Sequence, residues 1–293
     1  MFKIPKEHSV YSMNATNEPI LRVPAGSQVE FETSDCFADQ IQSKDDTFGG
    51  LDFSRINPAT GPLYIEGAQP GDILSVKIDK IDVAKCGVVA VGKDMGVLGH
   101  LFYDHMLKIV PIEGGKAIFS EKIHLPLNKM VGVIGVAPKP SEDIACGVPD
   151  YHGGNMDCKE ITEGRTLHLP VNVPGALLAL GDLHAVMADG EIGVSGLEVA
   201  GKVTVTVDVI KNKTQPTPML FSDTHIMTIA SDEDLDIAAN MAVENMAKYL
   251  VSEFGFSLHD AVMLISLAAD VRICQLVDPK KTVRVEMPKH LCS

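Results

Sequence analysis

The sequence predicts an α+β fold that is predominantly β, with a sandwich-like or barrel-like body and two helices near the C-terminus. Up to about residue 230, short runs rich in Val, Ile and Thr are bounded by Gly, Pro and Asn, a pattern typical of β-strands. After that point, apolar residues recur at helical spacing. A chain of 293 residues can bury a large core. We therefore expect one domain over 1–293, or alternatively a β-rich body at 1–211 followed by an α+β part at 219–293.

Six segments carry the clearest strand patterns. The run KVTVTVDVI alternates apolar and polar residues most regularly, as a strand with one solvated face should. The predicted strands are 28–33, 73–83, 131–137, 166–170, 202–210 and, near the end of the chain, 282–287.

Two helices are predicted before the last of these strands. Ser231 is expected to begin the first helix, with acidic residues near its positive N-terminal end and Gly255 at its C-terminal end. Ser257 is expected to cap a second helix that reaches about Asp270. Apolar residues cover most sides of this second helix and predict its burial. They are Ala261, Val262, Leu264, Ile265 and Leu267.

The segment 180–198, LGDLHAVMADGEIGVSGLE, concentrates ionisable side chains among glycine and apolar residues. If its first part is extended, Asp182 and His184 project from the same face, where carboxylate and imidazole groups can converge on a cation. Asp189 and the glycine after it are expected to form a tight hairpin turn that returns Glu191 to that face. A structural His–carboxylate pair beside an ordinary Asp-Gly turn is the alternative interpretation.

Two further clusters contribute polar side chains. A double glycine allows a sharp backbone turn just before Asn155 and Asp157, which lie two positions apart. An Asx-type turn that closes a strand is the alternative there. Asp35 follows the first predicted strand, where a single Asp also serves as an ordinary cap.

Together these segments resemble the acetamidase/formamidase family over nearly the whole chain. The resemblance implies an amidohydrolase that releases ammonia from small aliphatic amides such as formamide and acetamide. The motifs that carry it, in order, are SDCFADQ (34–40), NPATGPLYIEGAQPGDILSVKI (57–78), GGNMD (153–157), LPVNVPGALLALGDLHAVMADGEI (169–192) and ICQLVDPKKTVRVEMPK (273–289).

Amide hydrolysis requires a strong nucleophile, stabilisation of the tetrahedral oxyanion and a proton for the leaving amine. A serine route would use Ser195, which lacks the G-x-S-x-G arrangement of a nucleophile elbow. A cysteine route would use Cys36 or Cys158, and the carboxylates near each are expected to raise the thiol pKa. A divalent cation that activates water and polarises the carbonyl fits the clustered Asp, His and Glu best.

The metal hypothesis assigns ligands from these clusters. Asp35, Asp182 and His184 are the predicted ligands of a divalent metal. The imidazole favours zinc, and calcium is the alternative if carboxylates dominate the site. Reserve ligands are His100, His152 and Asp150.

The remaining site residues are assigned to catalysis and to substrate binding. Glu191 is the predicted general base and acid, and Asp157 is the second predicted catalytic residue. Asn155 and Asp189 are predicted to bind the amide substrate. A non-catalytic small-amide-binding protein on the same scaffold stays open as a different class of function.

Composition limits the partners and the location. A formal net charge of −14 and a pI near 5.1 argue against binding to nucleic acid. No apolar stretch is long enough to span a bilayer, and no secretory signal pattern is present at the start. The six cysteines contain no C-x-x-C pair and are expected to be reduced, so the cytoplasm is the expected location. A mean hydropathy of +0.13 predicts a homodimer or a larger assembly.

Overall fold

Two large β-sheets, a two-stranded sheet and two α-helices form the computed structural model, which describes residues 1–43 and 45–292. The first ten strands are β1 (Phe2–Ile4), β2 (Ser9–Val10), β3 (Ser12–Asn14), β4 (Leu21–Pro24), β5 (Ser27–Thr33), β6 (Ala59–Glu66), β7 (Ile73–Val83), β8 (Cys86–Gly92), β9 (His105–Glu113) and β10 (Lys116–Ile118). The remaining strands are β11 (His124–Pro126), β12 (Met130–Gly135), β13 (Asp143–Ala145), β14 (Gly153–Asn155), β15 (Thr166–Pro170), β16 (Leu178–His184), β17 (Glu198–Val199), β18 (Gly201–Ile210), β19 (Met219–Phe221), β20 (His225–Asp232), β21 (Asp270–Gln275) and β22 (Lys281–Pro288). The helices are α1 (Leu235–Phe254) and α2 (Leu258–Ala268), and short 3-10 helices lie at Phe48–Gly50, Phe53–Arg55, Gly99–Leu101 and Lys289–Leu291.

The two large sheets are open layers. The nine-stranded sheet has the order β1-β5-β18-β7-β15-β19-β20-β22-β21. The eleven-stranded sheet follows β11-β10-β9-β8-β17-β16-β12-β14, and β6 joins it through β16 together with β2 and β4. The predicted predominantly β fold with two C-terminal helices is therefore confirmed, although neither sheet closes into a barrel. The nine-stranded sheet takes strands from both 1–211 and 219–293, and the division into two parts stays a prediction.

The main core lies between the two large sheets and contains apolar residues from both. Strand β18 shows how the sequence produces it, because Val203, Val205 and Val207 are fully buried while Lys202 and Asp208 are exposed. This is the alternation that the sequence predicts for a strand with one solvated face. The same cluster includes buried leucines and isoleucines of β6, β12 and β16 from the opposing sheet. The core thus fixes β12 and β16, the strands on which the candidate site is built.

Helix α1 begins three residues later than predicted. Ser231 lies within β20, where it pairs with Thr282 of β22 and the two hydroxyl oxygens are 3.0 Å apart. Asp234 is the cap instead, because its carboxylate accepts hydrogen bonds from the N–H groups of Asp236 and Ile237. The continuing strand ladder excludes Ser231 from the helix. The predicted end is confirmed, since Gly255 adopts a left-handed conformation with φ of 72°.

Helix α2 is capped by Ser257 as predicted, but it ends at Ala268, and Asp270 already belongs to β21. The predicted burial is wrong. Only Ala261 and Ile265 are buried, whereas the side chain of Leu267 is 85% exposed. The reason is that α2 contacts α1 and β22 on one side only. Within the part of the chain that the structure describes, neither helix is long and apolar enough to cross a membrane.

Candidate active site

Strands β12 and β16 form the base of the site. Asp182 and His184 lie two positions apart on β16 and are almost fully buried, as the sequence predicts for one face of a strand. Gly132 of β12 lies directly beside the carboxylates. A Cβ atom at this position would come within 2.8 Å of Asp182 Oδ2 and would also collide with the carboxylate of Asp157. Glycine is therefore the residue that leaves room for both acidic groups.

Three carboxylates surround the imidazole of His184. Its Nε2 atom lies 3.2 Å from Glu198 Oε2 and 3.5 Å from one oxygen each of Asp157 and Asp182. Asp157 follows β14 and Glu198 begins β17, so three strands of one sheet deliver the four side chains. All four are at most 3% exposed. On the other side of the ring, a Cβ atom on Gly196 would lie 2.5 Å from His184 Nδ1.

The cluster contains buried acceptor atoms that form no hydrogen bond within the described residues. They are Oδ1 of Asn155, Asp157 and Asp182, and Oε2 of Glu191 and Glu198. Buried polar atoms normally have partners, because leaving one unpaired costs about 1–3 kcal/mol. Three of the five acceptors lie 3.2–3.5 Å from His184 Nε2, so one imidazole is shared among several acidic groups and a bound cation would satisfy the remaining acceptors.

Among the described residues, two groups of three have the composition of a metal site, and within each group the candidate ligand atoms lie within 4.8 Å of one another. One group contains Cys36, Asp182 and Glu198, and the other contains Asp157, His184 and Glu191. Two of the three predicted ligands, Asp182 and His184, thus belong to these groups, one to each.

Burial and mutual repulsion perturb the acid groups of the site. Burial raises the pKa of Glu191 to about 8 and that of Glu198 to about 8, against the attraction of His184. Burial and the neighbouring Glu191 also raise the pKa of Asp157 well above its usual range. At Asp182, burial acts in the same direction, but the charge of His184 together with hydrogen bonds from His184 and Glu198 outweighs it and lowers the pKa. The site thus carries more carboxyl groups than one imidazolium can neutralise.

Among the described residues, His184 is the only basic side chain that contacts the acidic groups of this cluster. Burial disfavours its charged form, yet the charges of Glu198 and Asp182 raise its pKa well above 6.5. Asp278 lies at the edge of the cluster, where its Oδ2 accepts a hydrogen bond of 3.0 Å from Asn155 Nδ2. Burial and the charge of Asp157 raise the pKa of Asp278 well above its usual range.

Backbone strain concentrates at the same place. Asp157, Asp182 and Glu191 have φ angles of 40°, 53° and 44°, and Val194 has a φ of 91°. Residues other than glycine rarely adopt positive φ, and a β-branched residue such as valine does so at a marked cost. Strained backbone of this kind is typical of functional sites, where the surrounding structure holds side chains in fixed directions.

The cluster opens into a cavity of about 180 Å³. Its lining includes the polar side chains of Asn155, Asp182, Glu191, Glu198 and Asp278. The volume suits a small organic molecule.

Asp35 is close to the cluster but is used differently. Its Oδ1 atom accepts hydrogen bonds from the N–H groups of Phe37 and Asp39, at 3.0 and 2.9 Å, and so closes a local turn. Burial raises its pKa to about 6. Within the described residues it belongs to neither candidate metal group, whereas the next residue, Cys36, does.

Asp189 does not join the cluster, and the predicted two-residue hairpin is wrong. Its carboxylate forms a bidentate ion pair with Arg284, at 2.6 and 2.9 Å, and a further pair with Lys159 at 3.0 Å. Gly190 instead bonds to β21, since its N–H donates to Cys274 O and its carbonyl accepts from Leu276 N–H. A longer loop between β16 and β17 therefore carries Glu191 into the cavity.

The reserve ligands also lie outside the cluster. Asp150 pairs with Lys280 at 2.6 Å, and His100 is exposed in a short 3-10 helix. His152 is fully buried, and both of its ring nitrogens lack a hydrogen-bond partner among the described residues.

The alternative nucleophiles are poorly prepared for attack. Ser195 lines the cavity, but its Oγ accepts a hydrogen bond of 2.9 Å from Ala90 N–H and no basic side chain contacts it in the described structure. Burial and the charges of Glu198 and Asp182 raise the pKa of Cys36, as the sequence predicts. The expectation for Cys158 is wrong, because a hydrogen bond from Cys274 lowers its pKa, but this thiol is fully buried and is not among the residues that line the cavity.

The comparison with known proteins identifies the family. A model of the acetamidase/formamidase family matches residues 14–146 and 142–292. The chain belongs to this family. The resemblance stated from the sequence motifs is confirmed.

Solved structures of family members share the fold throughout. The chain is 47% identical to an acetamidase from Bacillus halodurans, with a TM-score of 0.97 over 99% of this chain and 98% of that one. A predicted acetamidase/formamidase from Thermoanaerobacter tengcongensis is also 47% identical, with a TM-score of 0.96 over 99% of this chain and 96% of that one. A formamidase from Methylophilus methylotrophus is 26% identical over 85% of this chain. The chain spans 61%, 80% and 63% of the length of three curated relatives that it matches.

Proposed function

We propose that this protein hydrolyses small aliphatic amides, of the formamide and acetamide type, to a carboxylate and ammonia with the help of a bound divalent metal. The observation that carries the proposal is the set of unpaired buried acceptors around His184, in a cavity of about 180 Å³. Several buried carboxyl groups that share one imidazole are costly to ionise, and a bound cation would offset that cost. The family relationship supports the proposed substrate class.

The donor set fits a divalent metal, with zinc as the first choice and calcium as the alternative. The imidazole of His184 and the thiol of Cys36 favour zinc, while the several carboxylates would also suit calcium. Asp182 would be a ligand in either case. When bound there, the cation would polarise the amide carbonyl and lower the pKa of water. Asp35, one residue from Cys36, stays a predicted ligand that would have to turn away from its local hydrogen bonds.

Glu191 is the proposed general base and acid. It takes a proton from the attacking water and passes it to the amide nitrogen, so that the C–N bond breaks and ammonia leaves. A pKa of about 8 makes its ionised form a stronger base than an ordinary glutamate. Asp157, buried beside His184, is the second proposed catalytic group and holds the imidazole in place.

Asn155 is the proposed substrate-orienting residue. One hydrogen of its Nδ2 is donated to Asp278, whereas Oδ1 has no hydrogen-bond partner in the described structure and is free to accept one. An acceptor at this position would bind the NH₂ group of the amide. Asp189 was predicted to share this role, and its ion pair with Arg284 supports an indirect contribution through the loop that carries Glu191.

Metal dependence is the first test. Chelation followed by dialysis should abolish ammonia release from formamide and acetamide, and Zn²⁺ or Ca²⁺ should restore it. Asp182→Asn should lower the metal content, and a parallel Asp35→Asn variant shows whether that residue is a ligand. Full activity in protein shown by elemental analysis to be metal-free would overturn the proposal and favour the serine or cysteine route. Bound metal without turnover of any amide would favour the non-catalytic binding protein.

We also propose a homodimer or larger assembly located in the cytoplasm, without nucleic-acid partners. Support for assembly comes from the apolar face of α2, where Val262 is 50% and Leu267 is 85% exposed. The adjacent edge strand β21 adds Val271, which is 51% exposed. Exposed apolar patches of this kind mark interaction surfaces. Light scattering after size exclusion should give at least twice the monomer mass, and Leu267→Lys should lower it; a monomer at micromolar concentration would contradict the proposal.

A further inference from the structure

The lining of the cavity also contains apolar side chains that the proposed chemistry does not use. We call this set of apolar side chains the roof. The roof consists of Phe37, Phe48, Phe53, Ile56, Met95 and Val194. Four of these six come from the segment between β5 and β6, which contributes none of the acids of the His184 cluster. A molecule in the cavity would therefore meet both acceptor groups and hydrocarbon side chains.

Phe48 is held in place by its ring contacts. Its ring stacks on that of His105 with centroids 5.0 Å apart and an angle of 8° between the planes. The ring of Phe53 lies 5.4 Å away on another side. The segment itself is fixed by Asp52, whose N–H donates to Gln40 Oε1 at 2.9 Å and whose carboxylate accepts from Ser54 N–H at 3.0 Å. The roof is thus a built surface whose aromatic rings have defined positions.

We propose that the roof binds the acyl group of the amide and limits its length, and that Phe48 is the residue that sets this limit. The inference rests on the proposed amide hydrolysis and adds to it the residues that limit the length of the acyl chain. Phe53 is 57% exposed and lies at the rim, whereas Phe48 is partly buried between Phe53 and His105. Removing the Phe48 ring would therefore extend the cavity most directly.

A second cavity offers a competing place for the acyl chain. It has a volume of about 400 Å³, is mostly apolar, and shares Glu191 and Ser195 with the first cavity. Its outer wall includes Leu125 of β11, which is 37% exposed. If the acyl chain entered this cavity, a larger residue at 125 would reject long amides and Phe48 would have no influence. The two cavities thus make opposite predictions for two variants.

The test is a series of kcat/KM values with formamide, acetamide, propionamide, butyramide and hexanamide on the metal-loaded enzyme. Wild type should prefer short apolar acyl chains to hexanamide. In Phe48→Ala, the hexanamide-to-acetamide ratio should rise about tenfold or more, the usual scale for methylene groups in a pocket. Phe48→Leu should give an intermediate ratio and guards against misfolding of the alanine variant. The matched control Leu125→Trp should leave the ratio unchanged.

An unchanged ratio in both Phe48 variants, or a loss of long amides in Leu125→Trp, would overturn the assignment of the roof. Turnover in this series tests the proposed hydrolysis. Binding to the roof is measured separately, by thermal shift of the same proteins with acetamide and hexanamide. Absence of turnover together with a Phe48-dependent thermal shift would remove the hydrolysis and keep the roof as a binding surface. Absence of turnover and of any such shift would overturn both.

Discussion

Glu191 combines a buried carboxyl group, an oxygen without a hydrogen-bond partner and a raised pKa at the wall of the cavity. If it moves protons, Glu191→Gln keeps the shape but removes the base, and turnover should fall by about 10²–10⁴-fold. The metal content should stay near wild type. His184→Ala removes a proposed ligand and should lower metal occupancy and activity together. Steady-state kinetics and elemental analysis of both variants check this.

The same pair of variants separates the roles of the two residues. Glu191 also belongs to one of the candidate metal groups. Loss of metal from Glu191→Gln with retention in His184→Ala would show that the two roles are reversed. Wild-type turnover in both variants would place the catalytic site elsewhere in the chain.

At the level of secondary-structure elements, the loop between β16 and β17 is held by an ion pair with β22. Arg284 of β22 is 2% exposed and donates hydrogen bonds to both oxygens of Asp189, which is 26% exposed and lies two residues before Glu191. Asp189→Ala should lower the free energy of unfolding by about 2 kcal/mol, because it removes one of the two carboxylate partners of a buried charge, while Glu286 still pairs with Arg284. The Asp189→Ala variant should also reduce kcat more than it changes KM, because the loop that carries Glu191 loses its contact with Arg284. Denaturant unfolding and kinetics measure the two effects.

A matched control is the exposed pair of Asp270 and Arg272, whose side chains are 66% and 49% exposed and 2.7 Å apart. Asp270→Ala should cost less than about 1 kcal/mol, the usual value of a surface ion pair. If instead Asp189→Ala leaves stability intact and raises KM, the residue binds substrate directly, as the sequence pattern first suggested.

Several elements follow from local sequence alone. The bounds of β7 and β15 match the predicted strands, and the caps Ser257 and Gly255 act as predicted, because alternation and capping are local properties. Ser231 fails as a cap because β22 pairs with it, a contact made by residues some fifty positions away. The burial of α2 fails because periodicity describes the faces of a helix and not the number of its neighbours.

At the scale of the whole molecule, the site was only partly predictable. Asp182, His184 and Glu191 lie in one segment, so their spacing and density gave a signal. Asp278 is 123 positions from its partner Asn155, and nothing in its local sequence indicates that the two meet. Gly132 carries no functional group at all, and its importance becomes visible only when β12 lies against β16. Long-range strand pairing cannot be predicted from the local pattern of a single sequence.

The stability of the whole fold should depend on pH through His152. This side chain is fully buried, and burial lowers its pKa from 6.5 to about 4, against the opposing charges of Asp150 and Glu142. Between pH 6.5 and pH 4, His152 is therefore protonated in the unfolded chain but neutral in the folded chain. Stability is lost as the pH falls from about 6.5 towards 4. The expected loss from this group is about 3 kcal/mol. It is measured as the change in unfolding free energy between pH 7 and pH 4.5, followed by denaturant titration.

His152→Leu should remove this part of the pH dependence, because leucine of similar size carries no titrating group. Comparing the variant with wild type cancels the contribution of the acidic site, whose raised pKa values act in the opposite direction: Glu191 and Glu198 favour the folded state at low pH. His259→Gln, at an exposed position on α2, is the matched control and should follow the wild-type profile. Parallel pH profiles of wild type and His152→Leu would contradict the prediction. They would mean that the pKa of His152 is the same in the folded and unfolded chains.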